Sequence, residues 1–405
     1  MPKVCLYFQL HQPYRLANVS VFQVGNGLAD YFSDAEVLNK EVFKKVAKKS
    51  YIPMLQLLSM LLTRHPTFHF TLSFSGVFVE QAEAFSPKVI SLLKEVIVTG
   101  RVEVLAETYY HSLASLYSPD EFKQQVEMHK KMVKKYFGVS PSAFRNTELI
   151  YSNEIAQLVE NLGYVAMLTE GVDRYLHGRK RTEVFGAKTK QTLPVLLKHA
   201  QLSDDIAFRF SEKSWKSWPL TVEKYMKWLS VYPDDEIVNL FMDFETFGEH
   251  QWADTGIFTF FEELVARFIT KPWNTFLTPT QLCTPVCDRK IRKKCLNKSK
   301  LPQYDVPDPI SWADVDRDLS AWRENNLQQD SLRIMYDLEA KVVASKDVQL
   351  IEDWRRLQTS DHFYYMCTKW ANDGDVHAYF SPYRDPFEAY RRYSIILADL
   401  HERML

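Results

Sequence analysis

The stretch 118–168, SPDEFKQQVEMHKKMVKKYFGVSPSAFRNTELIYSNEIAQLVENLGYVAML, decides the fold. Ser118 stands where a helix N-cap would, Pro119 follows at the first helical position, and Glu121 predicts a capping box. Gly138 falls after the last turn, where a left-handed residue closes a helix. Residues 143–146 then predict a short strand, with Glu148 just beyond it. Ile155, Leu158, Val159 and Leu162 share one helical face, Gly163 stops that helix, and 164–168 predict a second strand. A helix between two strands is a βαβ unit, and its crossover makes the strands parallel.

The alternation continues on either side of this stretch. Residues 4–10 predict a buried strand, 51–62 a helix with Pro53 near its start, and Phe68, Phe70 and Leu72 a strand. A helix over 89–98 ends near Gly100, and 102–106 is the next strand. Later strands are predicted at 193–197 and 237–242, with 206–210 a weaker one. Asp254 is placed as the cap of a helix through Phe258, Phe261, Leu264, Val265 and Phe268. Seven or so strands alternating with helices predict a closed or nearly closed β/α barrel. The competing architecture is an open doubly wound sheet, but neither a G-x-G-x-x-G nor a G-x-x-x-x-G-K-[ST] motif favours nucleotide binding.

Between Pro272 and Pro309 the composition turns proline-rich and basic, with the run 289–294, which predicts a surface connection. Beyond it Leu319, Trp322, Leu327, Ile334 and Leu338 predict one helix, 348–357 a second and 387–400 a third. The organisation expected is a catalytic barrel over 1–290, a connecting segment over 291–310, and a helical domain over 311–405 that contributes to the active-site cleft.

The chain has 405 residues, 46% apolar and 14% aromatic, enough for one large core with a smaller attached unit. Its 50 basic and 51 acidic residues give a net charge of −1, so no global field draws it to nucleic acid or to a membrane. No apolar run approaches membrane-spanning length, and the apolar start at 4–10 lacks a cleavage site; a cytoplasmic protein is expected. Cys5, Cys283, Cys287, Cys295 and Cys367 form no C-x-x-C pair. Three of them cluster, but without zinc-site spacing or a nearby histidine, so free thiols are expected.

Two carboxylates lie where apolar strands run out: Glu148 in 144–151 (FRNTELIY) and Asp243 in 241–248 (FMDFETFG). Taken singly, a strand-end carboxylate is more often a helix cap or a surface charge. Loops after barrel strands converge on one mouth, however, so two such acids can meet there. A retaining glycosidase needs one ionised and one protonated carboxyl about 5–5.5 Å apart. His11 ends the first strand and faces the same mouth. His111, His250 with Trp252, and Asp361 with His362 likewise sit among aromatic residues. Rings that stack on sugars, with acids and imidazoles that bond hydroxyls, are the elements of a sugar site.

Five segments, 11–13 (HQP), 107–111 (ETYYH), 144–151, 242–252 (MDFETFGEHQW) and 361–366 (DHFYYM), resemble in order the five signature regions of glycoside hydrolase family 57, α-amylase type. The resemblance spans nearly the whole chain. It implies a (β/α)7 distorted TIM-like barrel followed by a C-terminal helical bundle, and a retaining mechanism on α-glucans without metal or cofactor. By position Glu148 matches the nucleophile and Asp243 the acid/base. His11, His111 and Glu245 match sugar-site positions; Asp361 and His362 match the fifth region. Glu107, His250 and Trp252 join them as expected substrate contacts, and Trp215 or Trp218 as a further stacking surface. The implied activity is hydrolysis of α-1,4-glycosidic bonds through a covalent glycosyl-enzyme. The alternatives are a 4-α-glucanotransferase or branching enzyme of the same fold, or a catalytically weak glucan-binding homologue. A metal-dependent polysaccharide deacetylase fits less well, because Gln12 and Pro13 follow His11 where a ligand set would want an acid.

Overall fold

The structure, a computed structural model, describes residues 2–26, 30–33, 39–271, 273–283, 301–369, 381–383 and 385–404. Seven parallel strands form its centre: β1 (Lys3–Leu10), β2 (Phe70–Phe74), β3 (Val102–Val104), β4 (Phe144–Arg145), β5 (Met167–Glu170), β7 (Pro194–Lys198) and β8 (Ile237–Asp243). Two short strands, β6 (Phe185–Ala187), antiparallel to β7, and β10 (Gln303–Tyr304), extend the sheet outside it; β9 (Thr275–Phe276) pairs with β1. β8 pairs with β1, β1 with β2, β2 with β3, β4 with β5 and β5 with β7. A bridge from Ala106 to Phe144 joins β3 to β4. The remaining seam is closed at Asn239, whose carbonyl accepts from His199 N at 2.8 Å and whose Nδ2 donates to Leu197 O at 2.9 Å. The ring is thus a (β/α)7 barrel, with helices on its outer face and a helical C-terminal part.

The period of two along each strand sorts its residues between two cores. On β1, Val4, Leu6, Phe8 and Leu10 pack outward on helices while Cys5 and Tyr7 fill the interior. On β8, Val238, Leu240 and Met242 face out while Ile237 and Phe241 face in. Continuing the inward parity puts Gln9 and Asp243 at the barrel mouth, and these two are paired in register. A third core joins the outer faces of β4, β5 and β7 to the C-terminal helices through Trp322, Trp354 and Tyr393.

The helix after Ser118 runs Pro119–Phe137, with Ser118 Oγ accepting from Glu121 N and Gly138 left-handed at φ 74°. The other half of the expected capping box is absent: the Glu121 carboxylate pairs with Arg355 at 2.9 Å and holds a C-terminal helix instead. Residues 206–210 are not a strand. Ile206 belongs to the Ala200–Ala207 helix, where Leu202, Ser203, Asp205 and Ile206 are buried at helical spacing. Asp254 does not cap the following helix; it sits in a 3-10 turn, and left-handed Gly256 precedes Ile257–Ile269. The single helix expected over 319–338 is broken into Ser320–Arg323 and Asn326–Asp337, because Asn325 and Gln328 form a capping box. The other two expected helices are Val348–Leu357 and Pro386–Glu402, and Glu339–Ser345 and Ser360–Tyr364 add two short ones. Cys287, Cys295 and the basic run 289–294 lie outside the described residues, while Cys5, Cys283 and Cys367 are buried. Not all of 272–309 is surface: Tyr304, Val306 and the adjoining Ile310 are fully buried.

Candidate active site

A cavity of about 620 Å³ opens at the C-terminal ends of the strands, lined among others by His11, His111, Glu148, Asp243, Glu245, His250 and Asp361. The barrel brings together residues up to 350 positions apart, because each follows a different strand or comes from the helical part.

Glu148 lies on a 3-10 turn after β4 with φ 56°, and Leu149 follows at φ 52°. Two consecutive non-glycine residues in the left-handed region are strained by about 1–2 kcal/mol each, so the surroundings must hold them there. Thr169 Oγ1 donates to Leu149 O at 2.9 Å, and Asn146 Nδ2 donates to Ile150 O at 3.0 Å. The Glu148 carboxylate accepts from Trp312 Nε1 (2.8 Å, to Oε2) and Ser360 Oγ (2.9 Å, to Oε1), and His111 Nε2 lies 3.4 Å from Oε1. Burial disfavours the charged carboxylate, but the His111 bond and charge, with Arg145, outweigh it and hold its pKa below the usual value.

Asp243 meets the reverse. Burial first, then the charge of Glu148, push its pKa up to about 6. Glu245 is pushed to about 8 by burial and by Asp243, although its hydrogen bonds with Tyr51 and Gln12 work the other way. His111 is drawn up to about 9: burial opposes the charge, but bonds to Glu107 and Glu148 overcome it. One carboxyl is therefore ionised near neutrality while two neighbours keep protons well above their ordinary range.

Glu107 is fully buried beneath the cavity, where its Oε2 lies 3.2 Å from His111 Nδ1 and 3.6 Å from Arg145 Nη1. Gln9 Nε2 sits 3.2 Å from His111 Nδ1, and its Oε1 is buried without a hydrogen-bond partner among the described residues. His11 joins Ser75 Oγ (2.7 Å) to Asp361 Oδ2 (3.1 Å) and stacks on His111 with ring centres 4.0 Å apart at 21°. Burial and the His111 charge lower its pKa, against Asp361. The nitrogens of His11 and His111 and a carboxylate oxygen of Asp361 lie within 4.8 Å of one another, close enough to consider a cation. Stacked rings project their lone pairs side by side in two nearly parallel planes, and these nitrogens already face Ser75, Asp361, Glu107 and Glu148. The donor set fits a hydrogen-bonded array better than a converging ligand sphere.

The structure does not bring every expected residue to the cavity. Trp252 is 58% exposed, its ring under the Lys49 ammonium at 5.4 Å, outside the lining. His362 is buried away from the lining with its ring 5.9 Å from that of Tyr393. Trp215 packs edge-on against Trp228 with the Arg209 guanidinium over its ring, and Trp218 also lies outside the lining. In their place the cavity is lined by Gln9, Lys198, Asp204, Trp312, Arg317 and Tyr365. Inward parity was a usable signal for Gln9 and Lys198; nothing local marks Trp312.

A seven-stranded parallel barrel whose mouth gathers oppositely protonated carboxyls, imidazoles and aromatic rings is an architecture suited to acid/base work on carbohydrates. The family model described as "Glycosyl hydrolase family 57" matches residues 5–297, and the chain belongs to that family. It is 40% identical over 401 residues, covering 97% of this chain and 82% of the other, to a Methanocaldococcus jannaschii protein whose own naming as an alpha-amylase is provisional. Among solved structures it is similar to a branching enzyme of this family from Thermococcus kodakaraensis (TM-score 0.69, 14% identity, 100% of this chain and 90% of that one). It is also similar to the 4-alpha-glucanotransferase of Thermococcus litoralis (TM-score 0.64, 15% identity, 89% of this chain and 56% of that one).

Proposed function

We propose that the chain is a retaining α-glucan hydrolase that cleaves α-1,4-glycosidic bonds, with Glu148 as nucleophile and Asp243 as general acid/base. The observation that carries this reading is two carboxyls lining one cavity with opposed environments, the pKa of Glu148 lowered by His111 and that of Asp243 pushed up by burial to about 6. The Asp243 proton passes to the glycosidic oxygen as that bond breaks, while a Glu148 oxygen bonds to the anomeric carbon. The covalent glycosyl-enzyme is then opened by water, which gives its proton back to Asp243. His11, His111, Glu245, His250 and Asp361 line the cavity as sugar-hydroxyl partners; Glu107 acts through His111. Carbohydrate is the expected partner, and among the described residues no helix is long and apolar enough to cross a membrane.

Product analysis on maltooligosaccharides and glycogen tests this, with wild type and Glu148→Gln in parallel. Wild type is expected to release shorter saccharides that retain the α-anomer, and Glu148→Gln to lose at least about 10³-fold in turnover with an unchanged melting temperature. Near-normal turnover by Glu148→Gln would sink the assignment. Longer or branched products in place of net hydrolysis would mark a sugar hydroxyl, not water, as the second-step acceptor.

A further inference from the structure

Both side-chain donors closest to the Glu148 carboxylate come from outside the barrel. Trp312 and Ser360 follow the last barrel strand in sequence, yet they donate to its two oxygens at 2.8 and 2.9 Å. We propose that Trp312 is a positioning residue that orients the nucleophile through its indole N–H, rather than a platform on which a sugar stacks. This inference rests on the assignment of Glu148 as nucleophile.

Three observations support it. The first is that Trp312 is tied to the very turn it serves. Its backbone N donates to Glu148 O at 3.2 Å, and the preceding Ile310 exchanges hydrogen bonds with Tyr151 at 2.9 and 3.0 Å. The strained turn at Glu148 and Leu149 is thus gripped from its own backbone and from its carboxylate by one segment.

The second is that this segment is braced across the mouth. Arg317 donates to Trp312 O, and its guanidinium lies 3.7 Å from Glu170, at the end of β5, and 3.4 Å from Asp204, beyond β7. A segment tied to the turn after β4, to the end of β5 and to the helix after β7 holds the indole N–H in one direction, which is what orientation of a nucleophile needs.

The third is that the Trp312 ring is already engaged by cations: the Arg145 guanidinium lies 5.2 Å and the Lys198 ammonium 5.4 Å from its centre. A face in contact with a cation is a poor surface for a sugar.

The donors also distinguish the two oxygens. Oε1 faces both Ser360 and His111, whereas among the described residues Oε2 faces Trp312 alone. Oε2 keeps a lone pair for the anomeric carbon, and the indole N–H sets the direction in which that lone pair points.

The test compares Trp312→Phe with Trp312→His. Phenylalanine keeps a ring and loses the N–H; the histidine Nε2 sits as many bonds from the backbone as the indole Nε1 and restores a donor. Trp312→Phe is expected to lower kcat by about 10–100-fold with KM within about twofold, and to move the acidic limb of the kcat/KM profile upward, because a donor to the charged carboxylate is gone. Trp312→His is expected to recover part of kcat. Should the Phe variant fold poorly, 3-benzothienylalanine at position 312 keeps the bicyclic shape and removes only the N–H; the same split is expected. A sugar platform gives the reverse, a raised KM in Trp312→Ala with kcat and pH profile of Trp312→Phe unchanged, and that result overturns the proposal. The two assignments fail separately: turnover by Glu148→Gln defeats the nucleophile, whereas a dead Glu148→Gln beside an unimpaired Trp312→Phe defeats only the positioning role.

Discussion

Asp243 and Glu148 carry the same functional group, and what separates them is what each touches. Glu148 faces donors from three sides, while Asp243 is shifted chiefly by burial and by the negative charge of Glu148 itself. Glu148, which ionises first, therefore helps set the protonation state of Asp243. The general acid works only while protonated, so kcat/KM on maltooligosaccharides is expected to fall about tenfold per pH unit above about pH 6. The coupling has its own check. Glu148→Gln removes the neighbouring charge and should lower the Asp243 pKa, read by carbon NMR of labelled aspartate carboxyls. A pKa unmoved by that substitution would mean burial alone sets it, and the two acids do not face one another electrostatically.

At the scale of elements, the barrel was legible because parallel strands buried on both faces leave apolar runs ended by polar residues. The runs at 4–10 and 237–242 show this, and Glu148 and Asp243 were found just past such ends. What stayed hidden has physical causes. β10 is two residues long and is defined by its partner β6, not by its own pattern. The 206–210 stretch is apolar enough for a strand, but its neighbours Leu202 and Ser203 fix a helical face. Trp312 and Ser360 come to Glu148 through tertiary packing, for which no local spacing exists. The turn after β8 holds a further device. Gly248 has φ 105°, and a Cβ there would stand 1.9 Å from Lys49 O, on the π-helical turn Ala47–Tyr51 whose Tyr51 hydroxyl bonds Glu245. Both the backbone angle and the space exclude a side chain. Gly248→Ala is expected to destabilise the fold by more than about 2 kcal/mol in urea unfolding and to reduce activity by moving Glu245. Wild-type stability in that variant would show that the two backbones do not meet there.

Across the whole molecule, the charged groups of the site sit between the barrel and the helical part, so their titration is felt in global stability. Asp361, from the helical part, reaches His11 after β1, and its pKa is held well below the usual value by His11 and His111 against the effect of burial. The low folded pKa values of Asp361 and Glu148 stabilise the fold above the unfolded pKa and are lost on acidification. The raised groups act in the other direction. Glu245, ordinarily near 4.5, keeps its proton to about 8 in the folded chain, so folding takes up a proton between those values and stability declines as pH rises through that window. Asp243 adds the same trend between 3.8 and about 6. The stabilisation from the charged His111 is complete below 6.5 and fades as pH rises through about 9. All three slopes have one sign, so unfolding free energy is expected to fall from pH 6 to pH 9. Glu245→Gln isolates the largest of them, since glutamine still accepts from Tyr51 and has no proton to lose. In urea titrations the variant should gain on wild type by up to a few kcal/mol between pH 5 and pH 8, then run parallel to it above pH 8. A constant difference between the two curves across that range would mean that Glu245 is already ionised in the folded protein, and that the crowding of acids around Asp243 is relieved by some route other than a retained proton.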